Sequence, residues 1–157
     1  LYRAGERPVH VELALEAGLE AVEADRGRVR QILSNLLKNA MEALDGTPDP
    51  LVQVTTRRAE WHGQPVVQIE VVDNGPGFQR ELMGQVFDPY VTSKPKGTGL
   101  GLAIVKKVVE EHGGRIEAHN GPEGGASVLV ALPLNEESRA QLGTRETRKS
   151  EPRRERA

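Results

Sequence analysis

The feature that most constrains the fold is the segment DRGRVRQILSNLLKNAMEALDG, from Asp25 to Gly46. Val29, Leu33, Leu36, Leu37, Ala40 and Leu44 recur at helical spacing, so one face of this helix must find a core. Asp25 is a favoured N-cap and Gly46 a suitable stop. Beside the apolar stripe, Asn35, Asn39 and Glu42 stand at i, i+4 and i+7 and share a second face. Amides are poor helix formers, so two on one stripe ask for a reason. An amide oxygen is a hard neutral ligand suited to Mg²⁺, which keeps waters and a substrate's phosphates as its other ligands. Lys38 could neutralise phosphate charge nearby. Taken alone, the stripe fits equally well a polar flank of surface amides.

Around this helix the pattern is that of strands. VHVELAL (9–15) alternates Val9, Val11, Leu13 and Leu15 with His10, Glu12 and Ala14, which predicts a half-buried strand. LVQVTTRRA (51–59) and QPVVQIEVVDN (64–74) flank His62-Gly63 and predict a hairpin. RELMGQVF holds a short helix, a second amphipathic helix runs from about Thr98 to His112, and GRIEAHN and ASVLVALPL complete the strands. In the second helix Leu100, Ala103, Ile104 and Val108 are expected to form the core face. After Pro133 apolar residues thin out among mixed charges. Residues 135–157 are therefore expected to be a disordered charged tail, because too little apolar surface is available to offset the ordering entropy. Aromatic residues make up 3% of the chain, so the core must be aliphatic. The net charge of −2 gives no nucleic-acid footprint. Cysteine is absent, which excludes disulfides and thiolate metal sites, and no His/Glu cluster has zinc spacing. No run reaches membrane-spanning length.

Two further segments carry chemistry. In VVDNGPGF an apolar strand ends at Asp73, and Gly75 and Gly77 let backbone approach a flat ligand. A carboxylate there can accept from an exocyclic amine such as adenine N6. Asp-Asn-Gly is also an ordinary turn. The second segment, DPYVTSKPKGTGLGLAIVKKVVEEHGG (88–114), sets Lys94, Lys96 and Thr98 among glycines before a helix. Lysines supply point charge for phosphate, and glycines admit backbone donors. By itself this loop equally fits a glycine linker. It is neither of the common phosphate motifs: no Gly-Lys pair exists for a P-loop, and Gly97, Gly99 and Gly101 alternate where a dinucleotide fingerprint needs a wider last step.

In this order the segments resemble the catalytic domain of sensor histidine kinases, within the wider family of Hsp90, MutL and gyrase B. NLLKNA is similar to the N box, DNGPG to the G1 box, FDPY (87–90) to the F box and GTGLGL to the G2 box. GGASV (124–128) with Leu132-Pro133 is similar to the last glycine box and strand. The resemblance spans roughly residues 6–134, and the run from Asp88 to Gly114 looks most like nitrogen-regulation sensor kinases of the NtrY type. It implies an α+β fold, a two-layer sandwich (the Bergerat ATP-binding fold) of about five mixed, mostly antiparallel strands on about three helices. One domain would occupy residues 1–134. The implied cofactors are ATP and Mg²⁺. Asn39 would bind Mg²⁺, with Asn35 and Lys38 in support, and Asp73 would read adenine, with Gly75 and Gly77 shaping the pocket. Phe87 and Tyr90 belong to the F box. Tyr90 to Thr98 would form a lid bringing Lys94 or Lys96 to the γ-phosphate, and Gly97, Gly99, Leu100 and Gly101 would line the phosphates. Ser127 falls where the family often has Thr near adenine.

In hydrolysing relatives a Glu four residues before the metal-binding Asn resembles a water-activating base. Asn35 stands there instead, and an amide takes no proton at neutral pH, which argues for transfer to another group. In the classical N box a basic residue often occupies the place of Glu42. None of His10, His62, His112 and His119 lies in an H-E-x-x-N-P-like context, so the acceptor is expected outside this chain. Each of the four is expected to be structural or solvated. The chain begins with Leu1 rather than Met and is read as a piece of a longer protein, homodimeric as a whole and monomeric as this fragment. The implied whole is a cytoplasmic catalytic domain on a protein anchored in the bacterial inner membrane. Its partners would be its own dimerisation domain and a response-regulator receiver. Two alternatives stand beside this: a serine/threonine kinase of the anti-sigma-factor type, and a non-catalytic nucleotide-binding module.

Overall fold

The computed structural model describes residues 3–4, 7–95, 97–137 and 140. A five-stranded sheet in the order β3-β4-β5-β7-β6 forms one layer. Its strands are β3 (His10–Leu15), β4 (Leu51–Trp61), β5 (Gln64–Asp73), β6 (Arg115–Asn120) and β7 (Ala126–Pro133). A separate two-residue pairing joins β1 (Arg3–Ala4) and β2 (Arg7–Pro8). Only β3 and β4 run parallel within the sheet, because the helix between them carries the chain back to the same end. The second layer is α1 (Arg26–Ala43) and α2 (Gly101–Glu111), which pack on each other and on β4 to β7. The expected α+β two-layer fold is therefore the observed one, with α1, α2 and a 3-10 turn over Arg80–Gln85 among its helical elements.

The local chemistry explains the elements. Asp25 caps α1 by accepting from Arg28 N at 2.9 Å. His62 and Gly63 both have positive φ (48° and 76°), the geometry that turns β4 into β5 with the sheet's own twist. The layers meet over Ile32, Leu36 and Ala40 of α1 and its C-cap Leu44, Val105, Val108 and Val109 of α2, and Val52, Val71, Val128, Val130 and Leu132 of the sheet. Leu134 is the last residue of this core, bridging to Val22. The expected tail, 135–157, lies mostly outside the described residues.

Three expectations need correction. VHVELAL is a strand, but residues 10–15 are all exposed rather than half-buried. Val11 and Leu13 pair with Val52 and Val54 and point to the helix side, yet the helices pack over β4 to β7 and leave β3, the edge beyond β4, uncovered. α2 starts at Gly101, not near Thr98, because residues 98–100 complete the preceding loop. Its buried face is Leu102, Val105, Val108 and Val109, while Ile104 is exposed. The run LAIV is apolar on every side, so periodicity alone could not orient it.

Candidate functional site

Asp73, the last residue of β5, is the buried charge around which the site is built, at 5% exposure. Its Oδ1 accepts from Gly75 N at 2.9 Å and from Ala126 N at 3.3 Å. Among the described residues Oδ2 accepts no hydrogen bond, so one carboxylate oxygen remains for a ligand's donor. Burial pushes its pKa above the ordinary 3.8, against the two backbone N–H groups and the Lys94 charge, which pull it down. Gly125 makes this corner possible: at φ +82° a Cβ would lie 2.2 Å from the Asp73 carbonyl oxygen.

The loop after β5 is pinned from both sides. Asn74 accepts from Leu51 N and donates to the Asp49 carbonyl, at 2.8 and 3.0 Å. Asn120, at the end of β6, accepts from Phe78 N at 2.7 Å and donates to the Phe78 carbonyl at 2.8 Å. Between these pins, Gly75 packs on the carbonyl of Ala43 at the end of α1, and Gly77 (φ +81°) packs on Asn120 and Gly125. The sequence reading missed Asn120 and Ala126. Asn120 stands in no pattern of its own, and Ala126, within GGASV, acts through a backbone N–H that strand order brings to Asp73.

The second wall is α1. Asn35, Asn39 and Glu42 are partly exposed on one face, and Lys38 is largely exposed, 3.9 Å from Glu42. A Cβ on Gly101 would lie 4.0 Å from Asn35 Oδ1, so the start of α2 stands beside the amide stripe. The third wall is the segment 90–99, closed at its neck by Tyr90 N donating to the Gly99 carbonyl at 2.9 Å. Gly99 has φ +69°, and a Cβ there would meet Tyr90 backbone at 2.6 Å, so only glycine closes this neck. Within the loop Thr92 Oγ1 accepts from Lys94 N, Gly97 N donates to the Lys94 carbonyl, and Thr98 Oγ1 accepts from Leu100 N. Lys94 crosses to α1, with Nζ 3.2 Å from Asn39 Oδ1, 3.3 Å from Asn39 O and 3.0 Å from Glu42 Oε2. Phe87 packs against the core, whereas Tyr90 is 79% exposed. Lys96 lies outside the described residues.

Ser127 is a correction. It pairs with Val72, one position out of phase with Asp73, so its side chain lies on the opposite face of the sheet. Its hydroxyl donates to Glu70 at 2.6 Å. The residue that reaches Asp73 from β7 is Ala126, through its backbone N–H. The histidines also have their own places. His112 Nδ1 contacts the Val108 carbonyl at 2.7 Å, and Nε2 lies 3.4 Å from Asp25 N, which ties the end of α2 to the start of α1. His62 stacks edge-on to Trp61, His119 lies 3.4 Å from Glu117, and His10 lies 3.8 Å from Glu12.

Residues 24–136 match the family described as histidine kinase-, DNA gyrase B- and HSP90-like ATPases. The chain belongs to this family. Within it, the domain resembles sensor kinases. It is 45% identical over 114 residues to the nitrogen regulation protein NtrY of Azorhizobium caulinodans, covering 69% of this chain and 14% of that protein. It is 35% identical over 135 residues to the sensor protein FixL of Bradyrhizobium diazoefficiens, covering 86% of this chain and 26% of that protein. The chain thus spans a minor part of these relatives' length. Among solved structures, the catalytic domain of the histidine kinase ThkA superposes with a TM-score of 0.67 at 32% identity, covering 80% of each chain. Full-length ShkA in complex with AMPPNP superposes with a TM-score of 0.64 at 28% identity, covering 81% of this chain and 26% of that one.

Proposed function

We propose that this domain binds Mg-ATP between α1, the end of β5 and the 90–99 lid, and supplies the γ-phosphoryl group of a two-component sensor histidine kinase. The observation that carries the reading is that Lys94, from the lid, reaches Asn39 on α1 while its charge also bears on Asp73 at the end of β5. Asp73 Oδ2 would accept from adenine N6, while its Oδ1 is held by two backbone N–H groups. A purine amine reaching that oxygen replaces water lost on burial, and the unpaired carboxylate oxygen makes adenine preferable to guanine, whose corresponding atom is an acceptor.

Asn39 fits an octahedral, oxygen-seeking cation. Its Oδ1 is neutral and hard, and in this structure it already accepts from a cationic group, the Lys94 ammonium. Among the described residues no group of three or more His, Cys, Asp or Glu is placed to hold a metal. A single amide oxygen therefore suits Mg²⁺, which takes its remaining ligands from phosphate and water. When bound, Mg²⁺ would neutralise charge developing on the phosphates.

The protein's own contribution is placement. The start of α2 and the lid backbone would set N–H groups towards the phosphates. Transfer forms a bond from γ-phosphorus to an imidazole nitrogen as the bond to the β,γ-bridging oxygen breaks and ADP departs, with little covalent chemistry left for side chains. Asn35 cannot take a proton from water, which favours the imidazole over hydrolysis. The acceptor would be a His of the kinase's own dimerisation domain, and the phosphoryl group would pass on to a receiver Asp of a response regulator. The whole protein would be a homodimer anchored in the inner membrane with this domain in the cytoplasm, and the isolated domain would be a monomer. Among the described residues no helix is long and apolar enough to cross a membrane.

Calorimetric titration with AMPPNP, with and without Mg²⁺, tests the site. Asp73→Ala is expected to weaken binding about 10- to 100-fold through the lost charge-assisted hydrogen bond. Asn39→Ala should abolish the difference between the Mg²⁺ and metal-free titrations. Unchanged binding in both variants sinks the reading. Labelled ATP with the longer chain should then leave acid-labile phosphate on His; acid-stable phosphate on a separate protein would point to a serine kinase.

A further inference from the structure

Asn39 Oδ1, the oxygen assigned above to Mg²⁺, already holds a positive group. The Lys94 ammonium has three hydrogens to give, and Asn39 O, Asn39 Oδ1 and Glu42 Oε2, at 3.3, 3.2 and 3.0 Å, can take all three. The Lys94 and Glu42 side chains are only 30% and 31% exposed, so water and salt screen this pair less than a surface pair. Among the described residues these are the hydrogen bonds that tie the lid to α1. The same lysine also draws down the pKa of Asp73, so its charge is felt by two carboxylates on opposite walls.

We infer that Lys94 is a resident stand-in for the metal, and that Glu42 is the positioning residue that holds it on Asn39. The inference rests on the reading of Asn39 as the Mg²⁺ ligand. Two cations on one amide oxygen repel each other at close range, so Mg²⁺ and Lys94 occupy it in alternation. Metal entry then unfastens the lid from α1, and by linkage anything that fastens the lid weakens metal-nucleotide binding to the same degree. The arrangement also accounts for an acidic residue beside a phosphate site. Glu42 would repel phosphate if left alone, but it always has a cation within reach: Lys94 when the metal is out, and Lys38, 3.9 Å away on the same helix, when Lys94 leaves.

ADP is the discriminating probe, because it lacks the γ-phosphate that Lys94 would otherwise contact. If Lys94 competes with the metal, Lys94→Met should bind Mg-ADP about tenfold more tightly than the wild type, the factor that corresponds to one net charge-assisted hydrogen bond. Metal-free ADP should gain nothing. Glu42→Gln, nearly the same shape, should shift Mg-ADP affinity in the same direction by a smaller factor. In protein without nucleotide, both variants should speed amide hydrogen exchange across 91–99 while leaving exchange in β5 unchanged. Weaker Mg-ADP binding in Lys94→Met, or lid exchange that neither variant changes, overturns the inference. A wild type that binds no ADP at all overturns the reading of the site. The nucleotide-free exchange still decides whether Glu42 and Lys94 hold the lid, so the two failures are distinguishable.

Discussion

The floor of the cleft and its lid hold charge in different ways. On the floor, the Asp73 carboxylate is buried and fixed by two backbone N–H groups, one from the pinned loop after β5 and one from β7. In the lid, the Lys94 ammonium is held by side-chain and carbonyl oxygens of one helix, at the end of a flexible stem. Backbone donors in a sheet cannot move without breaking strand pairing, whereas a lysine changes partners by rotating its own bonds. On the proposed reading, the floor would recognise one rigid shape, the base, and the lid would follow phosphates whose number changes during a reaction.

Substitutions on the two sides should separate sharply in stability. The largest effect is expected for Leu36→Ala, on the buried face of α1 at 1% exposure. It should cost about 3 kcal/mol in a denaturant titration through lost burial and the cavity left behind. Tyr90→Ala, at the mouth of the lid, should cost under about 0.5 kcal/mol. A comparable loss at Tyr90 would erase the distinction between the packed layers and the lid.

Glycines sharpen the comparison at a smaller scale. Gly125→Ala puts a Cβ against backbone at positive φ and should cost about 2–3 kcal/mol, seen as a lower melting temperature. Gly97→Ala meets Thr92 Oγ1 at 2.6 Å and Lys94 Cβ at 3.0 Å. Thr92 can turn away and the exposed loop can yield by a few tenths of an ångström at Lys94, so the cost should stay under about 1 kcal/mol, with the effect appearing instead in lid hydrogen exchange.

The smallest expected effect concerns pH. Because Asp73 has a raised pKa in the fold, its favourable contribution is complete below the ordinary 3.8 and is lost as pH rises through the raised folded value. Asp73→Asn keeps an oxygen for Gly75 N and Ala126 N but cannot ionise. The variant should therefore gain stability relative to the wild type as pH rises through that window, in denaturation midpoints measured across it. A wild type that instead becomes more stable relative to Asp73→Asn over the window would show that hydrogen bonding, not burial, controls this carboxylate.

Much of the fold was legible in the sequence. The helix over Asp25–Gly46, the hairpin about His62-Gly63 and the last two strands each carry a strong local signal of period, cap or turn. The amide stripe and the strand-end aspartate were visible as chemistry without a partner. What stayed hidden depends on neighbours distant in sequence. Ser127 looked suitable by type and position, but strand pairing turns it to the far side of the sheet. Asn120 shows no pattern and yet fixes the loop that carries Gly77. β3 alternates like a half-buried strand, and only its place at the edge that the helices do not cover leaves Val11, Leu13 and Leu15 exposed.

From the sequence alone came the element types, the family resemblance and the candidate residues on α1, β5 and the lid, because period, capping and turn chemistry are properties of short stretches of chain. Only the tertiary structure decided which face of α2 is buried, that Ala126 rather than Ser127 supports Asp73, and that Lys94 sits on Asn39 and Glu42. Those choices depend on strand order and on packing between segments more than fifty residues apart, as Lys94 and Glu42 are. Local sequence says what each side chain can bind, and packing determines which partner it meets.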